Sequence, residues 1–99
     1  MIRGTRLYIV SYDISNDKRR GDIADYLMSF GHRIQFSVFS VEAPRARFLR
    51  MKAGLLEMIN SSEDSLLLCD LGPCAKGKRR FETIGKKSIV DPGSSSFVY

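Results

Sequence analysis

The stretch "RLYIVSYD", Arg6 to Asp13, alternates with a period of two and is nevertheless apolar on both faces. Leu7, Ile9 and Ser11 point one way and Tyr8, Val10 and Tyr12 the other, and most of these side chains are β-branched or aromatic. A strand with two apolar faces belongs in the interior of a sheet, so the rest of the chain must supply neighbours on either side of it and a layer to cover it.

The next segment, "SNDKRRGDIADYLMSFG", reads as one helix. Ser15, Asn16 and Asp17 are capping residues, Ile23, Leu27 and Phe30 repeat at helical spacing, and Gly31 marks the end. From Arg33 to Val41, "RIQFSVFSV" returns to period two. Ile34, Phe36 and Val38 form an apolar row expected to meet the core, and Arg33, Gln35 and Ser37 lie opposite, with Phe39 continuing that polar face as an aromatic that either marks an interface or is buried under the C-terminal tail. The 12 residues between Gly31 and Pro44 hold either one bent strand or a tight hairpin of two short ones. Pro44 suits the first turn of a second helix, with a core stripe of Phe48, Met51 or the stem of Lys52, Leu55 and Ile59. "SLLLCDL", ending near Asp70, fits a strand covered on both faces; "GPCAKGKRR" reads as a loop, "FETIG" as a short strand, and the remainder as an extended tail ending in "FVY".

Strand, helix, strand, helix, strand with apolar central strands predicts an α+β sandwich with right-handed crossovers and both helices on one face of the sheet. The ferredoxin-like βαββαβ plan is the nearest common arrangement. The 99 residues amount to one domain with a small core, a situation that oligomerisation often relieves.

Charge narrows the choice of partner. With 16 Lys and Arg against 11 Asp and Glu, the net charge is +5, which suits a polyanion or simply a soluble basic protein. No segment approaches the ~20 apolar residues of a membrane span, and "MIRGTR" lacks the apolar core of an export signal, so a cytoplasmic protein that avoids membranes is expected. Cys69 and Cys74 are then expected to stay reduced as small hydrophobes, and with His32 they make a poor zinc site.

Three groups of residues invite a chemical reading. Asp13 stands at the carboxyl end of the first strand, where it either shapes the turn and stabilises the next helix start or binds a hard cation such as Mg²⁺. A single aspartate is a thin metal site, but a two-fold dimer would bring up a second one. Lys18, Arg19 and Arg20 open the first helix, where cations oppose its dipole; they form either a solvated face or a phosphate contact. Lys76, Lys78, Arg79, Arg80, Lys86 and Lys87 set six cations against Glu82 within twelve residues, a backbone-reading patch with salt-dependent binding. Base-specific reading is not indicated.

Taken in order, Tyr12-Asp13, "NDKRR", the helix-closing Gly31, "QFSVF", "EDSLLLCDL" and "FETIG" resemble the CRISPR-associated protein 2 family across residues 6 to 85. The resemblance implies a homodimeric ferredoxin-like domain over residues 1–85, with an additional C-terminal strand in the tail, 86–99, that packs on the partner protomer. It implies a role in spacer acquisition, with the dimer bridging the CRISPR integrase and holding prespacer DNA. It also implies, for some members, Mg²⁺-dependent endonuclease activity on RNA or double-stranded DNA. Carried over by position, Asp13 is the metal ligand and Tyr12, Arg19, Arg20, Arg33, Ser37 and Phe39 its supporting set. One departure is Ser40, where many relatives have an acid; here Glu42 follows two residues later. A stand-alone toxin-type or regulatory RNase on the same fold is the alternative.

Overall fold

The computed structural model describes residues 4–74 and 81–85. Its elements are β1 (Thr5–Asp13), α1 (Asp17–Met28), β2 (His32–Gln35), β3 (Val38–Pro44), α2 (Arg45–Met58) and β4 (Ser65–Pro73). The strands form one sheet in the order β2-β3-β1-β4, and every neighbouring pair is antiparallel. β1 and β2 are therefore parallel across β3, and β3 and β4 are parallel across β1, so each helix connects two parallel strands over the one between them. This is the ferredoxin-like βαββαβ plan that the element order predicted. The tail, 86–99, and the additional strand expected in it lie outside the described residues.

α1 begins where its sequence says it should. Asn16 is the N-cap, its side-chain oxygen accepting from the Arg19 backbone N–H at 2.8 Å, so one of the helix's orphan donors is satisfied. The far end is different from the expected glycine cap. Gly31 has no positive φ; its backbone N–H donates to the Leu27 carbonyl at 3.0 Å, and a Cβ there would stand 2.0 Å from the Ser40 carbonyl oxygen and 2.9 Å from Val41 Cγ2. The absent side chain lets the end of α1 touch β3.

One face of the sheet carries the core. Tyr8, Val10 and Tyr12 of β1 and Phe39, Val41 and Ala43 of β3 meet Ile23, Ala24 and Leu27 of α1 and Phe48, Met51 and Leu55 of α2. Met51, not the Lys52 stem, fills the middle of the second helical stripe. The Tyr8 and Phe48 rings stack at 3.7 Å with planes 6° apart, an aromatic pair that adds ~0.5–1.5 kcal/mol to their burial and joins α2 to the central strand.

Three expectations change. The segment from Arg33 to Val41 is a tight hairpin that turns at Phe36 and Ser37, and the expected facing fails from the turn onward: Phe39 is fully buried beneath the helices while Phe36 is 62% exposed. A register shift between Arg33 and Gln35, followed at once by the turn, interrupts the alternation, so a period-two count across the segment cannot assign its faces. Ile34 is still buried, but outside the cluster that meets the helices. Second, β4 is an edge strand covered on one face: Leu66 and Leu68 pack on the core and Leu67 is 60% exposed. Third, "FETIG" is not in a strand among the described residues. It has no ladder partner among the described residues, and Ile84 is left exposed.

The end of β4 bulges. Arg6 pairs with Pro73 and Tyr8 with Asp70, so β4 carries one extra residue, and Gly72 adopts a φ of 96° that suits glycine. Asp70 secures the bulge by accepting from the Gly72 N–H at 2.8 Å and from Arg6 Nε at 3.1 Å, and those two contacts hold its carboxyl below its ordinary pKa.

Gly31→Ala is expected to destabilise the fold by ~1–3 kcal/mol, the usual range for overpacking against an unyielding neighbour, here the Ser40 carbonyl. Chemical denaturation of the two proteins checks this, with a lower midpoint and an unchanged m-value expected.

Candidate nucleic-acid site at the end of β1

β1 ends at Asp13, which pairs with Ser65, the first residue of β4. The Asp13 side chain is exposed and makes no hydrogen bond or ion pair among the described residues. It borders a cleft of ≈ 230 Å³ lined by Tyr12, Asp13, Ile14, Arg20, Phe36 and Ser37. Four residues of the sequence-derived set, Tyr12, Asp13, Arg20 and Ser37, thus converge on one place.

Two further members support the cleft without lining it. The Tyr12 hydroxyl donates to the Phe36 carbonyl at 3.4 Å and accepts from Arg33 Nη2 at 3.4 Å, which connects the end of β1 to the hairpin turn. The Arg33 guanidinium lies 5.3 Å from the Phe39 ring centroid and 5.7 Å from that of Phe36. Phe39 is fully buried, so its contribution is to carry Arg33 and to face the Tyr12 ring at 6.3 Å.

Lys18, Arg19 and Arg20 each have a partner within the chain. Arg20 donates from Nη1 to the Ile14 carbonyl at 2.9 Å and pairs with Asp17, so it braces the link between β1 and α1. Arg19 points away from the cleft. It grips Asp64 through Nε–Oδ2 at 2.6 Å and Nη2–Oδ1 at 3.0 Å, and Glu63 at 3.1 Å. Asp64, whose side chain is fully buried, also accepts from the Asn60 backbone N–H at 2.8 Å. The Arg19 hydrogen bond lowers the Asp64 pKa, and Asp64 raises that of Arg19. Lys18 pairs with Asp22 at 3.0 Å on the surface. Asn16, Lys18, Arg19, Asp22 and Met58 line a second cleft of ≈ 330 Å³ beside the start of α1. Intramolecular pairing therefore explains much of a charge run that helix electrostatics alone does not.

Phe36 is the cleft residue that sequence reasoning misplaced. Its signal was present, since it lies in "QFSVF", but only the turn shows that this position faces outward. Lys76, Lys78, Arg79, Arg80, Lys86 and Lys87 lie outside the described residues. Among the described residues no three His, Cys, Asp or Glu side chains converge, so Asp13 stands as a single carboxylate. Cys69 and Cys74 are not joined to each other by a disulfide, and no described helix is long and apolar enough to cross a membrane.

The family model for CRISPR associated protein Cas2 matches residues 6–79. This chain belongs to the Cas2 family. The chain is 41% identical over 80 residues to the CRISPR-associated endoribonuclease Cas2 of Geobacter sulfurreducens, covering 81% of this chain and 84% of that one. Against the protein of the same name from Thermus thermophilus it is 35% identical over 85 residues, covering 85% and 90%. The crystal structure of Streptococcus pyogenes Cas2 superposes with a TM-score of 0.69 at 31% identity, over 80% of this chain and 99% of that one. A hypothetical protein from Thermus thermophilus superposes with a TM-score of 0.73 at 27% identity, over 89% of this chain and all of that one. The Cas2 resemblance drawn from the order of short motifs is thus upheld, and the Cas2 structures share the sheet and helices that build the cleft.

The Arg19–Asp64 clamp has a defined pH signature. Because the folded-state pKa of Asp64 lies below its unfolded value, the clamp stabilises at any pH above the ordinary aspartate range and loses its contribution as pH falls through the folded-state pKa. Asp64→Asn should unfold at lower denaturant than wild type by a constant margin from about pH 5 to 8, and the margin should shrink below about pH 4. Denaturant midpoints across that range check it.

Proposed function

We propose that this Cas2 protein acts on nucleic acid as a homodimer in CRISPR spacer acquisition, bridging the integrase, and that the dimer carries a Mg²⁺-dependent endonuclease site at Asp13. The observation that carries the reading is the cleft at the end of β1, where an unpaired carboxylate, the Arg20 guanidinium and the Ser37 side chain share one opening. The endonuclease part also draws on relatives that bear the name endoribonuclease.

The donor set fits a hard cation. Mg²⁺ keeps several waters and is commonly held by one or two carboxylates together with substrate phosphate oxygens. Asp13 supplies one carboxylate and the partner protomer's copy would supply the second. Bound there, Mg²⁺ would stabilise charge on the phosphoryl oxygens and activate a water. The protein's own groups perform the rest. Arg20 and Arg33 place positive charge beside the opening, and Tyr12 holds Arg33 against the hairpin turn. Lys18, Arg19 and Arg20 together with Lys76, Lys78, Arg79, Arg80, Lys86 and Lys87 would follow the phosphate backbone of double-stranded DNA or single-stranded RNA. Dimerisation is favoured by β4, which is the outer strand of the described sheet and whose Leu67 is open. The tail, 86–99, is proposed to pack there from the second protomer.

Asp13→Ala separates the two halves of the proposal. Mg²⁺-dependent cleavage of single-stranded RNA and of duplex DNA should fall by on the order of 100-fold or more, at least what loss of an outer-shell partner costs a metal site. Duplex binding should persist. Cleavage that survives the substitution overturns the metal-ligand role. For the basic patch, Lys78, Arg79 and Arg80 replaced together with alanine should weaken duplex binding and reduce the log–log salt slope by about 2.7, three phosphate contacts at ~0.9 each; an unchanged affinity and slope would remove the patch from the interface.

The alternative is a stand-alone regulatory or toxin-type RNase, which shares with the relatives' name the word endoribonuclease but not the words CRISPR-associated. A gene remote from any CRISPR array would support it over a role in spacer acquisition.

A further inference from the structure

Phe36 is a large apolar side chain with 62% of its surface open, at a turn whose job in folding needs no aromatic ring. Leaving it in water forgoes most of the stabilisation that burying a phenylalanine brings. The turn that carries it is nonetheless held in place. The Phe36 carbonyl accepts from the Tyr12 hydroxyl at 3.4 Å, and the neighbouring Ser37 carbonyl accepts from the Tyr12 backbone N–H at 3.1 Å, so the turn is fastened to the central strand at two adjacent points. The Arg33 guanidinium sits 5.7 Å from the ring centroid and is itself supported from the core side by Phe39. With Arg33 on one side, most of the ring surface remains free.

We infer that Phe36 and Arg33 form a stacking subsite for one unpaired nucleobase of a single-stranded RNA, positioned next to Asp13. The cleft presents the three things one nucleotide asks for. An open aromatic face receives a base. Arg20 lines the cleft, paired with Asp17 and the Ile14 carbonyl, and adds positive charge there for a phosphate, while Arg33 at the ring adds a cation–π contribution to the stack. The carboxylate of Asp13 lies in the same opening.

The subsite defines a substrate class. Bases inside a duplex are stacked on each other and cannot lie flat on Phe36, so the Phe36 subsite serves single strands or splayed-out nucleotides and takes no part in holding a duplex. Every base has a π-face, so the stack on Phe36 itself carries little base preference. Phe39, fully buried, does not touch the substrate and acts as a positioning residue for Arg33.

The inference rests on the proposed action on RNA, and the wild-type protein alone decides that point first. If the intact dimer binds duplex DNA but neither binds nor cleaves a labelled single-stranded RNA, the RNA part of the proposed function falls and this inference falls with it. If it does bind, Phe36→Leu and Phe36→Tyr are compared by fluorescence anisotropy on the same oligonucleotide, intact and with one abasic position moved along the strand. Phe36→Leu should weaken single-strand binding on the order of 10- to 100-fold, and Phe36→Tyr should stay close to wild type. Duplex affinity and thermal stability should be unchanged. One abasic position should weaken binding to wild type and not to Phe36→Leu. Equal single-strand affinity of wild type and Phe36→Leu, or an abasic penalty that persists in the variant, overturns the inference. So does conversion of Phe36→Leu to a monomer by light scattering, which would make the ring a contact between copies.

Discussion

β1 is hydrogen-bonded along both edges, to β3 from Thr5 to Ser11 and to β4 from Arg6 to Asp13. No other described strand is paired along both edges over so much of its length, and the cleft inherits its geometry from that strand. Its helix-facing residues Tyr8, Val10 and Tyr12 anchor the core, while its last residue delivers Asp13 to the sheet's edge with Ser65 alongside. A carboxylate on a free loop would need its position ordered afresh at each binding event. Here that conformational entropy was spent in folding.

From β1 the constraint passes outward through one hydroxyl. Tyr12 is buried as a ring but active at its oxygen, touching both the Phe36 carbonyl and Arg33. The aromatics of the hairpin divide accordingly. Phe39 supports from within, Phe36 stands outside, and Arg33 lies close to both. A guanidinium suits that place because it is planar, always charged and weakly hydrated compared with an ammonium.

The alternation of "RLYIVSYD", the capped pattern of α1 and the Phe48, Met51, Leu55 stripe of α2 were legible because each is a local signal repeated over two or more turns or pleats. Element order then led to the sheet plan. What escaped was set by single residues acting at a distance. The faces of β2 and β3 depended on a register shift at Arg33–Gln35 and a turn at Phe36–Ser37, neither of which carries glycine, proline or asparagine to announce it. Gly31 read as a helix cap and proved to be a contact with Ser40, a residue of another strand. "FETIG" has strand-like composition, but a strand exists only with a ladder partner, which composition does not supply. Among the site residues, Tyr12, Asp13, Arg20 and Ser37 were grouped only through the family resemblance, whereas the attachment of Arg19 to Asp64 links positions 45 residues apart, beyond the reach of any spacing argument.

The opening turn of α1 has a consequence of its own. Helix ends are ordinarily where a structure frays first, because their backbone groups lack internal partners. This one is fastened at three points: the Asn16 cap, Arg19 in the Asp64 clamp and Arg20 on the Ile14 carbonyl. Consecutive arginines thereby hold the walls of two different clefts, and neither wall can loosen without disturbing the other. A group entering either cleft would meet a fastened helix start rather than a frayed one, so its fit would be set by a wall already shaped in folding.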